Sequence, residues 1–183
     1  MNLAMAGFSK ILAPAWVLVL VVLLAGMAAG LGVGGTAVLA AAIVGIPGVT
    51  YKKFPLIASA CSVPHRWRTR IVALQILIVA AACMLLEVPA PVPATVMGLF
   101  GGNVALALAR KRLNASAHVS VLTFAVLWAV AVFGPSLAGL LLLVPVMLAS
   151  RIMLRQHTWA EGLAGMLIGC AVFACFVVAN TLI

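Results

Sequence analysis

The sequence predicts an all-α fold, a polytopic transmembrane helical bundle of about seven spans, and three observations carry that expectation. Hydrophobic residues make up 67% of the 183 residues and charged residues 7%, a composition no ordinary soluble domain has. The apolar residues fall into runs that approach the ~20 residues a helix needs to cross a bilayer, with ~17 still sufficient. The runs are separated by glycine, proline and basic clusters, and Gly and Pro are the strongest local punctuators. The chain reads as a single integral membrane domain, 1–183.

The runs lie at 11–29, 33–50, 71–87, 92–109, 118–133, 136–150 and 162–182. One lysine, Lys10, precedes the first, which has no small-residue cleavage site before the next run. It therefore reads as a retained helix and not a signal peptide. Gly30, Gly32, Gly34 and Gly35 make the turn into the second run; no strand precedes them and no Lys-Ser/Thr pair follows, as a phosphate loop would require. The basic stretch 51–70 reads as the next connection, followed by 88–93, 110–116 and the pair Gly134-Pro135. A polar hinge, 150–161, leads into the last run. Gly98, Gly101, Gly102 and Asn103 mark either a packed kink or a cavity wall, with packing favoured. Gly162, Gly165 and Gly169 give the last run a small face suited to close helix packing. The four cysteines, Cys61, Cys83, Cys170 and Cys175, lack metal-ligand spacing and read as buried inert thiols.

The net charge of +9 would suggest nucleic acid in a soluble protein; here the positions of the charges decide, and no nucleic-acid partner is expected. Lys10 precedes the first span. Lys52, Lys53, Arg66, Arg68 and Arg70 follow the second, Arg110, Lys111 and Arg112 the fourth, and Arg151 and Arg155 the sixth. With seven spans all of them face one side, which the positive-inside rule makes cytoplasmic in a multi-pass protein of the cell (inner) membrane. Glu87 falls on the other side and Glu161 in the hinge; these are the only two acidic residues.

Ionisable groups clustered beside a span are a functional-site hypothesis by default, because charge near hydrocarbon is unfavourable unless it is paired or used. Two connections on the basic side carry a histidine beside a helix start: Ser116-Ala117-His118, and Arg151 to Glu161 with His157 between them. Two helix N-termini facing one pocket offer backbone N–H groups to an anion, and arginines add planar recognition of phosphate oxygens. Thr158-x-x-Glu161 reads equally as a capping box, which would make the glutamate structural.

These residues resemble the motifs of the type 2 phosphatidic acid phosphatase superfamily. Ser150-Arg151, five residues, His157, three residues and Glu161 is similar to the third motif, Ser-Arg-x5-His-x3-Asp, with Glu for Asp. Ala115-Ser116-Ala117-His118 is similar to the second, Pro-Ser-Gly-His, keeping Ser and His. The first motif, Lys-x6-Arg-Pro, is absent as written. In a divergent bacterial branch an arginine-rich loop stands in its place, where this chain has Arg66 and Arg70, and Arg112 stands where that branch carries Arg-Trp-Lys. The resemblance covers roughly 60–175 and implies a six-helix core within the bundle.

It implies further that His157 is a nucleophile forming a phosphohistidine, that Glu161 holds its other ring nitrogen, and that His118 serves as acid and base. Arg151, Ser116 and one or more of Arg66, Arg70 and Arg112 would neutralise the phosphate oxygens. No metal or other cofactor is implied, since the cations are side chains. The substrate would be a lipid or polyprenyl (di)phosphate drawn from the membrane lipids. Two alternatives stay open. The same site could serve phosphoryl transfer or the ionisation and cyclisation of a prenyl diphosphate. The basic rim could instead bind anionic headgroups in a transporter or assembly factor without catalysis.

Overall fold

The computed structural model describes residues 2–61, 64 and 67–182, and for Asn2, Ile57, Ala60 and Cys61 the backbone alone. Nine α-helices and no strand are present among these residues. In order they are α1 Asn2–Ile11, α2 Pro14–Ala28, α3 Gly32–Ala40 and, through a π-helical turn Ala41–Gly45, α4 Ile46–Cys61. There follow α5 Arg68–Leu85, α6 Val92–Ala109, α7 Ala117–Phe133, a 3-10 helix Pro135–Leu142 that runs into α8 Leu143–Met153, and α9 Trp159–Leu182. Among the described residues six helical stretches are long and apolar enough to cross a membrane, and α7 is a seventh, shorter apolar helix. The protein is an all-α, multi-pass membrane bundle.

Helix α7, about 25 Å long by its rise, is the centre of the bundle. Val119, Leu122, Phe124, Val126 and Trp128 on it are buried, whereas Trp16, Leu20, Ile78 and Leu167 on other helices are exposed and suited to hydrocarbon. Because lipid tails are as apolar as leucine, close packing has to hold such helices together, and the glycines of α9 supply it. A Cβ at Gly165 would lie 2.5 Å from the carbonyl oxygen of Ser116, and one at Gly169 2.5 Å from that of Ser120. At Gly162 it would strike the Leu148 side chain. The small face expected of this span is the seam between α9, α7 and α8. One polar chain crosses the core: Trp128 Nε1–H donates to Thr95 Oγ1 at 2.9 Å, and the Thr95 hydroxyl donates to the Pro91 carbonyl at 2.8 Å.

Three helices end in the same way. Gly30, Glu87 and Arg155 have φ of 71°, 50° and 54° and follow α2, α5 and α8. At each, the next residue's N–H reaches back to the carbonyl five residues earlier: Leu31 to Gly26, Val88 to Cys83, and Gln156 to Arg151. This is the Schellman arrangement, which satisfies the last carbonyls and turns the chain sharply.

The structure departs from the sequence expectation in three places. The first span is broken at 12–13, ahead of Pro14 at the start of α2, and is preceded by a separate helix, α1, packed on α8. Proline fits the first turn of a helix, where its missing N–H is no loss, whereas further in it removes a hydrogen bond and crowds the preceding turn. Secondly, 51–61, expected as connection, is helical and continues α4 through Pro55. Proline at 55 has no N–H for the Tyr51 carbonyl, and that oxygen accepts the Arg68 Nε–H instead, at 2.8 Å. Thirdly, Cys170 and Cys175 are exposed on α9 where buried thiols were expected; Cys83 is buried, and the Cys61 side chain lies outside the described residues. At the helical repeat of ~3.6 residues, Cys170 and Cys175 fall off the glycine stripe that makes the helix seam.

Candidate functional site

The hinge 150–161 is built from two caps placed back to back. The Schellman turn at Arg155 closes α8, and at the start of α9 the Glu161 carboxylate accepts the Thr158 N–H at 2.9 Å while the Glu161 N–H donates to Thr158 Oγ1 at 3.3 Å. The capping-box reading therefore holds. The same carboxylate oxygen also lies 3.4 Å from His157 Nδ1, an ion-pair distance without hydrogen-bond geometry. Glu161 thus faces the cap and the histidine at once, and the imidazole's Nε2 is the nitrogen turned away from the carboxylate.

Helix α7 meets this hinge directly. Ser116, fully buried at the start of α7, donates its backbone N–H to the Glu161 carbonyl at 3.0 Å. Gly165, one turn further along α9, admits the Ser116 backbone to van der Waals contact. The two histidine-bearing connections are joined by this contact, although 45 residues of sequence separate Ser116 from Glu161.

Between α1, α7 and α8 is a pocket of about 270 Å³, lined by Ser9, Lys10, His118, Arg151 and Gln156 with Ala6, Ala13 and Leu154. Helix α1 is one wall. Ser150 Oγ donates to the Met5 carbonyl at 3.0 Å, and Arg151 Nη1 donates to Ser9 Oγ at 2.8 Å. The second bond aims the guanidinium while leaving Nε buried without a partner. His157, next to Gln156, and Arg151 both lie within electrostatic reach of His118. Six buried side-chain polar atoms among the described residues lack a hydrogen-bond partner, and three of them are Ser116 Oγ, Arg151 Nε and His157 Nδ1. Such groups are few in a native structure, and each calls for an explanation in function.

Of the residues expected from sequence, His118 and Arg151 line this pocket. His157 and Glu161 do not line it, although His157 follows the lining residue Gln156, and Ser116 is buried at the α7–α9 contact. Arg70 and Arg112 do not line it: Arg70 lies over the Trp67 ring, 5.5 Å from its centroid, and Arg112 is exposed in the turn after α6. Arg66 lies outside the described residues. Ser9, Lys10 and Gln156 are lining residues that sequence reasoning passed over. The only signal was the position of Lys10 among the basic-side charges. Among the described residues no three His, Cys, Asp or Glu side chains converge as a metal site.

Comparison with protein-family models, curated proteins and solved structures gave no match to the chain.

Proposed function

We propose that the protein is a membrane phosphatase that hydrolyses a lipid or polyprenyl (di)phosphate in the pocket between α1, α7 and α8. The observation that carries this reading is the convergence of His118 from one connection with Arg151 from another, beside the His157–Glu161 pair and with Lys10 added by α1. The resemblance of 115–118 and 150–161 to the superfamily's second and third motifs supports it.

In this mechanism the Glu161 carboxylate, 3.4 Å from His157 Nδ1, favours the proton on that nitrogen by its charge, so that Nε2 carries the lone pair. Nε2 attacks phosphorus, the P–O bond to the prenyl or glyceryl alkoxide breaks, and His118 gives that oxygen its proton. Water then attacks the phosphohistidine, His118 takes the water's proton, and the P–N bond breaks to release phosphate. Arg151, Lys10 and the free N–H groups at the start of α7 meet the charge on the phosphoryl oxygens. The substrate's headgroup enters at the basic side of the bundle, which by the positive-inside rule faces the cytoplasm across the cell membrane. A reporter fused in the turn at 111–114 would read a cytoplasmic location; a periplasmic signal would reverse the orientation.

Phosphate release is the test of function. Wild type, His157→Ala and His118→Ala are assayed on a panel of prenyl and diacylglyceryl phosphates. Release by wild type with both variants inactive is the expected result, and unchanged release in both variants rejects the mechanism. An intact prenyl alcohol as co-product separates hydrolysis from cyclisation.

A further inference from the structure

A second cavity, of about 400 Å³, lies between α2, the π-helical turn with α4, α5, α6 and α7. Its polarity is graded along the helices. At one end are Tyr51, Thr69 and Arg110; at the other are Ile76, Gly98, Phe124 and Val172. Gly98 and Phe124 are neighbours, a Cβ on the glycine falling 3.4 Å from the ring, so this far end is closed by aromatic packing. Between Gly98 and Arg110 helix α6 rises about 18 Å, more than half of the ~30 Å hydrocarbon core of a bilayer. The cavity is therefore long and mainly apolar, with its one charged lining residue, Arg110, at the tip.

Three further features mark it as built for a ligand. Ile43 and Val44 in its wall belong to the π-helical turn, a rare element frequent at functional sites. Asn103, part-way down, presents a buried Oδ1 with no hydrogen-bond partner. At the tip, Arg68 lies over the Tyr51 ring at 3.4 Å and holds the Tyr51 carbonyl, fixing the tyrosine at the mouth beside Arg110. Neither glutamate balances Arg110. Glu161 is engaged with Thr158 and His157, and Glu87 sits past the far end of α5 from Thr69.

We propose that this cavity is a second binding site, distinct from the phosphate pocket, for a single hydrocarbon chain with an anionic head. The chain lies along α6, and the head sits between Arg110 and Tyr51. The assignment does not rest on turnover at His157. The two cavities are kept apart by adjacent residues: Ala13 and His118 face the phosphate pocket, Pro14 and Ala117 the long cavity.

The full-length protein in phosphatidylcholine nanodiscs is titrated with dodecanesulfonate, an anionic amphiphile with no phosphate to hydrolyse. Saturable binding is expected, weakened about tenfold or more by Arg110→Gln, which removes a charge-assisted contact. Gly48→Phe, at a lining position whose Cβ meets no atom within 4 Å, should weaken it similarly by filling the cavity. Arg151→Gln and excess inorganic phosphate should leave binding intact, and dodecanol should bind at least about tenfold more weakly for want of the charge. The proposal is overturned if Arg110→Gln binds like wild type or dodecanol binds as well as the sulfonate. Displacement by inorganic phosphate, or loss in Arg151→Gln, would assign the amphiphile to the phosphate pocket instead and equally overturn it. Arg110 is exposed at a helix end, so its variant reports on binding even if Gly48→Phe fails to fold.

Discussion

The two cavities share the basic end of the bundle and differ in almost everything else. The smaller is walled by α1 and polar, and its arginine is aimed by a hydrogen bond to Ser9. The larger is apolar over most of its length, with one arginine at its tip and an aromatic floor. The wall between them is two points of chain geometry, the break before Pro14 and the first turn of α7. On the two proposals, one end of the bundle holds a site for phosphate chemistry and a site for a hydrocarbon chain, separated by a helix break and a helix start.

Substitutions should separate the two along the same line. The largest effect expected after loss of the nucleophile is for His118→Ala, a fall of about 10²–10⁴ in phosphate release, the range for a lost general acid–base. Arg151→Gln should lower release by about 10²–10³, as for removal of one group that stabilises the developing charge. Arg70→Gln and Arg112→Gln, whose side chains stand outside the pocket, should change release by less than about tenfold, the scale of exposed charges. A loss at Arg112 as large as that at Arg151 would mean that the turn after α6 folds over the phosphate. Gly165→Leu drives a side chain into the Ser116 backbone and should destabilise by at least about 1–3 kcal/mol, read as a lower unfolding midpoint in detergent. Thr158→Ala should cost about 1 kcal/mol of stability through the lost cap while release persists, because the Glu161 carboxylate still faces His157. The smallest change expected is a gain: Arg155→Gly relieves the positive φ and should stabilise by about 1 kcal/mol.

Much of this fold was legible in the sequence, because a bilayer demands long apolar runs and the breaks between them are written in glycine, proline and charge. The glycine face of α9 and the Gly30 turn followed from the same logic. Helix α1 was not legible: it is too short to span and reads as the flank of the first run, so its wall of the smaller pocket, with Ser9 and Lys10, was hidden. The helical course of 51–61 was masked by Lys52, Lys53 and Pro55, residues that locally argue for a break. What overrides them is Arg68, seventeen residues on, which takes the carbonyl that Pro55 leaves free. At the site, spacing alone brought out His118, Arg151, His157 and Glu161. Arg70 and Arg112 were drawn in by their charge, which says which side of the membrane a residue occupies but not which pocket. Gly102 and Asn103 were read chiefly as packing, yet they line the long cavity; one helix face does both, since Gly102 also stands 3.4 Å from Val172.

The most direct measurement of the phosphohistidine mechanism is to trap the intermediate. The full-length wild-type protein is mixed with a ³²P-labelled prenyl phosphate, rapidly quenched and digested with trypsin, and the peptide that begins at Gln156 is analysed for acid-labile phosphate. The phosphohistidine mechanism predicts label on His157 in wild type, absent from His157→Ala and sharply reduced in His118→Ala, which lacks the acid of the first step. Turnover by wild type with no labelled peptide under any quench, or label that persists without His157, would contradict it.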